Sequence, residues 1–101
     1  VLDVYQMTQH FPDCEKFGLT AQFRRAAVSI PANIAEGYGK RSSVDNARFY
    51  NIAQGSLKEC RYYLRLAADL GYAKTEQHFT QIHEIGRMLH SYTKKVLSSV
   101  N

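Results

Sequence analysis

The sequence has no tryptophan, and only two cysteines and two prolines in 101 residues. So few cysteines exclude a disulfide-stapled secreted fold. Cys14 and Cys60 lie far apart with no metal-ligand spacing around either, so they read as reduced thiols of a cytoplasmic protein. No apolar run approaches the ~20 residues that span a bilayer, which argues against a membrane partner. A basic-then-apolar leader is also missing, so secretion is not indicated. Nothing alternates with period two for long enough to make a strand. Repeats, low-complexity tracts and linkers are absent as well, and residues 1–101 are expected to form a single domain.

The patterns of chemistry are equally thin. No Gly-x-Gly-x-x-Gly occurs, and Gly37-Tyr38-Gly39-Lys40-Arg41-Ser42 lacks phosphate-loop spacing and joins two helical segments. His10, His78, His83 and His90 form no His-x-x-x-His or Glu-x-x-His pair, so no metal site and no cofactor are expected. His83 and His90 are two turns apart on one face and read as solvated or interface histidines. Neither cysteine has a histidine at local spacing to act as its base. The chain reads as a non-enzyme with no small-molecule substrate.

What is present is helical periodicity. With 45% apolar and 22% charged residues the composition is that of a folded domain and not a disordered one. Val1, Val4, Tyr5 and Phe11 fall at helical spacing, and Pro12-Asp13 ends the run. Val1 enters a pattern already under way, which predicts a truncated first helix. A connector over residues 14–18 follows, and Thr20 is the expected N-cap of a second helix over residues 21–36. Its stripe is Leu19, Phe23, Ala26, Ala27, Ile30 and Ile34. Pro31 falls inside it, removes a bond to the Ala27 carbonyl and predicts a kink or local break.

Gly37 is the expected left-handed residue closing that helix, with a loop over residues 37–41. Ser42 with Asp45 resembles a capping box. From there a helix runs to Leu70 with Phe49, Ile52, Ala53, Cys60, Leu64, Ala67 and Leu70 as its core stripe. Gly71 stops it in the left-handed region under an apolar Tyr72. Thr75 caps a last helix carrying Phe79, Ile82, Leu89, Tyr92, Val96 and Val100. Short connections between long helices predict an all-α fold, an antiparallel up-down-up-down four-helix bundle.

Two polar features stand out. Arg25, Ser29 and Glu36 share a stripe of the second helix, with Asn33 beside it. These read as a structural network in which Arg25 meets Glu59 of the next helix, while Ser29 and Asn33 satisfy backbone freed by Pro31. The second feature is basic. The chain carries 13 Lys and Arg against nine Asp and Glu, a net charge of +4. Lys58, Arg61 and Arg65 lie within a narrow arc of the third helix, and Arg48 stands further round. Lys40 and Arg41 precede that helix, and Arg24 begins the previous one. This is either a solvated face balanced by Asp45, Glu59 and Asp69, or a surface that tracks phosphates.

The stretch Gln22-Phe23-Arg24-Arg25-Ala26-Ala27-Val28-Ser29-Ile30-Pro31-Ala32-Asn33-Ile34-Ala35-Glu36-Gly37 is long and unusual. With Tyr38-Gly39, Phe49, Ile52-Ala53, Gly55-Ser56-Leu57, Glu59 and Leu70-Gly71-Tyr72, it closely resembles one family. That family is the four-helix bundle proteins encoded in intervening sequences of bacterial 23S ribosomal RNA genes, and the resemblance runs from about Phe11 onward. It implies a cytoplasmic bacterial protein with a longer first helix that assembles as a ring-shaped homopentamer. The related accessory variability determinant of diversity-generating retroelements implies nucleic-acid binding on the same architecture.

The reading is therefore a homo-oligomeric, non-enzymatic bundle that binds RNA or DNA through backbone phosphates. Arg24, Lys40, Arg41, Arg48, Lys58, Arg61 and Arg65 are the expected phosphate partners. The alternative is a protein-interaction scaffold docking through Tyr38, Tyr50, Tyr62 and Tyr63. Seven tyrosines and five phenylalanines exceed what one small bundle readily buries, which independently predicts self-association.

Overall fold

The computed structural model describes residues 1–98, and its regular structure is helical throughout. Helix α1 spans Leu2–Thr8, α2 Leu19–Tyr38, α3 Ser43–Asp69 and α4 Glu76–Ser98, with a 3-10 turn over Asp13–Glu15. Among the described residues there is no strand, and no helix is long and apolar enough to cross a membrane. The four helices pack as an all-α bundle in which α2 and α3 form the central pair, α1 lies on α2, and α4 lies on α3. Cross-helix contacts give the directions. Phe23 meets Tyr63, Ser29 meets Ser56 and Gly37 approaches Tyr50, so α2 and α3 run in opposite senses. Tyr50–Tyr92, Gln54–Gly86 and Arg65–Phe79 order α3 and α4 in the same way. At about 1.5 Å per residue α3 is ~40 Å long. It sets the long dimension of a molecule measuring 50 × 23 × 17 Å.

The core stripe of α3 is shifted from the expected one. Ala47, Tyr50, Ala53, Leu57, Cys60, Leu64 and Ala67 are buried, each three or four residues from the next. Ile52 and Leu70, expected inside, are exposed, and Phe49 is half-buried. From α2 come Leu19, Phe23, Ala26 and Ala27, and from α4 Leu89, with Phe79 and Ile82 half-buried beside them. Tyr92 is largely exposed and Val96 half-buried, while Val100 lies outside the described residues.

Helix ends depart from expectation where tertiary contacts decide them. Regular α1 stops at Thr8, short of Phe11. Thr8 Oγ1 donates to the carbonyl of Val4 at 2.7 Å, and the next bonds are i→i−3, His10 N to Met7 O and Phe11 N to Thr8 O. The tightened turn swings Phe11 into the core against Tyr72, with ring centroids 5.3 Å apart.

Thr20 is not the N-cap of α2. The helix begins at Leu19, whose amide lies 3.4 Å from Glu15 Oε1, and the other oxygen of that carboxylate accepts from the Tyr72 hydroxyl at 3.0 Å. A carboxylate at a helix N-terminus suits both the orphan amides and the dipole, and Glu15 supplies it from outside the helix. Pro31 sits within α2, which passes through it as one uninterrupted helix, so the expected break does not occur. Apolar contacts of Phe23 and Ala27 before it, and of Gly37 after it, hold both halves against α3.

Gly37 is not left-handed. It is the buried penultimate residue of α2, and a Cβ there would stand 2.9 Å from Tyr50 Cε1, 3.0 Å from Phe49 Cβ and 3.1 Å from Asn46 O. The glycine is needed for the close approach of two helices. With its amide nitrogen turned toward the loop, Asn46 then binds the carbonyls of Gly37 (2.7 Å), Lys40 (2.8 Å) and Ser42 (3.1 Å).

At the start of α3 the Ser42 half of the expected capping box forms, Ser42 Oγ accepting from Asp45 N at 3.4 Å, while the Asp45 carboxylate faces Arg48 at 3.8 Å. The end of α3 follows expectation, with Gly71 at φ +75°. The amide of Tyr72 bonds to Ala67 O at 2.9 Å and that of Gly71 to Ala68 O at 3.0 Å, the paired bonds of a Schellman ending. Thr75 precedes α4, and its carbonyl accepts from His78 and Phe79.

Candidate functional site

Two helical stripes meet to form the most chemically distinctive surface of the molecule. On α3, Gln54, Leu57, Lys58 and Arg61 recur at i, i+3, i+4 and i+7. On α4, Phe79, Ile82, His83, Gly86, Arg87 and His90 follow the same rule. Together with Ser91 they line a groove of about 480 Å³. Helical periodicity stacks each set along one face, and antiparallel packing turns the two faces toward each other. Gly86 permits the approach: a Cβ there would lie 3.3 Å from Leu57 Cδ2, and its carbonyl accepts from Gln54 Nε2 at 3.1 Å. Leu57, Phe79 and Ile82 make the floor apolar. Lys58, Arg61 and Arg87 supply three permanent positive charges, His83 and His90 add imidazoles, and no carboxylate is among the lining residues. Clefts lined by one sign of charge focus the field and attract counter-ions.

The expected phosphate partners divide by environment. Lys58 and Arg61 are brought together in this groove, and Arg65 reaches the Phe79 ring, 5.7 Å from its centroid. Arg24 lies elsewhere and is committed to α1. Its Nε donates to Thr8 Oγ1 at 2.8 Å, its Nη2 approaches Tyr5 O at 3.5 Å, and its guanidinium stands 4.6 Å from the Tyr5 ring centroid. Lys40 and Arg48 flank the ring of Phe49 at 5.1 and 4.8 Å, each with its own carboxylate: Glu36 at 3.6 Å and Asp45 at 3.8 Å. Arg41 is exposed in the α2–α3 turn. Sequence reasoning missed Arg87 and set His83 and His90 aside. The i, i+4, i+7 spacing of the three was the available signal, but only packing shows that this stripe faces Lys58 and Arg61.

The expected polar network is rearranged. Asn33 Nδ2 donates to Ser29 O at 2.8 Å and to Ser29 Oγ at 2.9 Å, and Ser56 Oγ donates to Ser29 Oγ at 2.8 Å. This chain stitches α2 to α3 and does not address the Ala27 carbonyl that Pro31 leaves open. Arg25 bonds to Gln22 Oε1 at 3.2 Å instead of Glu59, and Glu36 pairs with Lys40. In both departures the exposed side chain bonds to a residue three or four positions away in sequence, Gln22 within α2 for Arg25 and Lys40 just past the end of α2 for Glu36.

Of the docking tyrosines, Tyr38 and Tyr62 are exposed. Tyr50, however, is buried against Tyr92, and Tyr63 is half-buried against Phe23. Burial, helped by the charge of Glu59, pushes the Cys60 thiol up to about 11. Tyr63 is raised mainly by burial, and Tyr72 mainly by donating to Glu15. Among the described residues no group of three or more His, Cys, Asp or Glu side chains lies close enough to hold a metal ion.

A second groove, of about 300 Å³, opens among side chains of all four helices and is lined chiefly by carbon, including Phe23, Ile30, Ile34, Leu57, Ile82 and Ile85. It offers no converging polar groups comparable to those between α3 and α4.

No curated protein matches the chain. The model of one family does, over residues 1–91, and that family is described as the 23S rRNA-intervening sequence protein. With nearly the whole chain matched and a four-helix bundle beneath it, this protein belongs to the 23S rRNA-intervening sequence protein family.

Proposed function

We propose that this protein is a non-enzymatic nucleic-acid-binding bundle whose phosphate-binding surface is the groove between α3 and α4. One observation carries the reading: Lys58, Arg61 and Arg87 converge with two imidazoles on a concave surface that no carboxylate lines. A solvated face interspersed with neutralising partners has a different pattern, as Lys40 with Glu36 and Arg48 with Asp45 illustrate. Each phosphate that meets one of the three cations releases condensed counterions, so affinity falls steeply with salt and carries little base preference.

Three cations on one chain bind weakly. Self-association, a homopentameric ring in the fullest form of this proposal, multiplies them. Phe17, Tyr38 and Leu2 are 86, 83 and 77% exposed, large apolar side chains that a subunit contact would cover. The same exposure of Tyr38 and Tyr62 supports the second reading, a scaffold that docks another protein.

A filter-binding titration with RNA and with DNA over a range of salt tests the first reading. Affinity should fall as salt rises and should drop further when Lys58, Arg61 and Arg87 are replaced together by Ala. Binding indifferent to salt and to these replacements would remove it. Sedimentation of the purified chain tests self-association, and a monomer at micromolar concentration would end that part of the proposal.

A further inference from the structure

The floor of the groove is a poor place for a phosphate. A phosphate over Leu57 and Ile82 would give up hydration without gaining a donor, so the rim cations account for only part of the surface. Leu57, Phe79 and Ile82 offer a flat apolar group somewhere to lie. Gln54, Ser91, His83 and His90 stand around them with hydrogen-bonding atoms. The volume of about 480 Å³ falls in the range of sites that enclose small organic groups. Phe79 supplies the one phenyl ring of the lining, and aromatic rings are the surfaces on which unpaired bases stack.

From the basic rim, apolar floor and polar edge together, we infer that the groove seats an unstacked nucleobase while Lys58, Arg61 and Arg87 hold the flanking phosphates. The preferred ligand is therefore single-stranded nucleic acid, or a loop with splayed bases, and not a duplex. The inference rests on the phosphate-binding reading above. A duplex presents its phosphates but keeps its bases stacked and turned inward, so it gains only the rim contacts. A single strand gains both, and aromatic stacking is sequence-tolerant because every base has a π-face.

The test uses the full chain and fluorescence anisotropy. A labelled, unstructured single strand should bind roughly tenfold or more tightly than the blunt duplex of the same sequence at matched salt. Competition isolates the base: a nucleoside monophosphate should displace the strand at a concentration at least about tenfold below that of ribose 5-phosphate, which carries the same phosphate without a base. Photocrosslinking from a strand containing 5-bromouracil should map to groove-lining residues of α3 and α4.

Equal affinity for strand and duplex, with equal displacement by the two competitors, overturns the base seat and leaves the phosphate reading standing. Crosslinks confined to the turn around Lys40, Arg41 and Phe49 overturn the assignment to this groove. Failure of the Lys58, Arg61 and Arg87 replacements to weaken any binding overturns the phosphate reading and the base seat together.

Discussion

Cys60 shows how one buried residue ties stability to pH. It is 3% exposed, in the heart of the α2–α3 contact, and its thiol titrates at about 11 instead of the ordinary 9.0. Below the lower value both folded and unfolded chains keep the proton, and the residue contributes no pH dependence. Between the two values the unfolded chain ionises while the folded one holds its proton, so the unfolded state gains and stability falls as pH rises. The full loss is about 2–3 kcal/mol. Urea denaturation across that window should give a descending profile, flatter in Cys60→Ala. Parallel profiles would show that the thiol keeps its proton equally well in both states.

Glycine offers a second residue-scale contrast, since Gly37 and Gly55 both lie inside helices. A Cβ at Gly37 would run into Tyr50, Phe49 and the Asn46 carbonyl, whereas one at Gly55 meets nothing within 4 Å. Gly55→Ala should therefore stabilise the fold by about 0.5–1 kcal/mol through backbone entropy alone. Gly37→Ala should cost about 1–3 kcal/mol by forcing α2 and α3 apart. Thermal melts of the two variants shifting in the same direction would refute the close-approach account.

At the scale of elements, one side chain of α2 ties down the polar side of α1, whose Val4 and Met7 pack on the core. Arg24 binds Thr8, approaches the Tyr5 carbonyl and lies on the Tyr5 ring. Arg24→Ala should cost about 1–3 kcal/mol and release the α1 amides to hydrogen exchange, while nucleic-acid affinity stays nearly unchanged. A large drop in affinity with α1 still protected would return Arg24 to the phosphate partners.

The same residue shows what was legible in the sequence. The four helices could be read because their apolar positions recur every three to four residues. The ends of α3 were also clear, because Ser42 and Gly71 act through local backbone geometry that their own chemistry announces. The cap of α2 was not legible: Glu15 takes that role, and Tyr72, from the far end of α3, fixes its other oxygen. Gly37 looked like a turn glycine because its real constraint is a neighbouring helix. Arg24 looked free because its partners belong to another element.

For the whole molecule, what matters is how many cations act together and where. Of the seven basic residues singled out by sequence, Lys58 and Arg61 line the groove, and packing adds Arg87 to them. Lys40 and Arg48 already face carboxylates, so a phosphate must compete with Glu36 and Asp45 there. The groove therefore predicts a countable salt dependence. If Lys58, Arg61 and Arg87 each neutralise one phosphate, the slope of log affinity against log salt is roughly −2 to −3 per binding groove. Each of Lys58→Ala, Arg61→Ala and Arg87→Ala then makes it shallower by about one unit. Lys40→Ala and Arg48→Ala should leave it nearly unchanged, because a cation held by its own carboxylate neutralises no phosphate and so frees none of the counterions condensed on the strand. In an assembled ring the slope scales with the number of grooves that one strand reaches, so ligand length becomes a ruler: slopes rise in steps as the strand grows to touch a second groove. A slope independent of length, in a preparation shown to be oligomeric, would mean that each groove acts alone and that assembly serves some end other than nucleic-acid affinity.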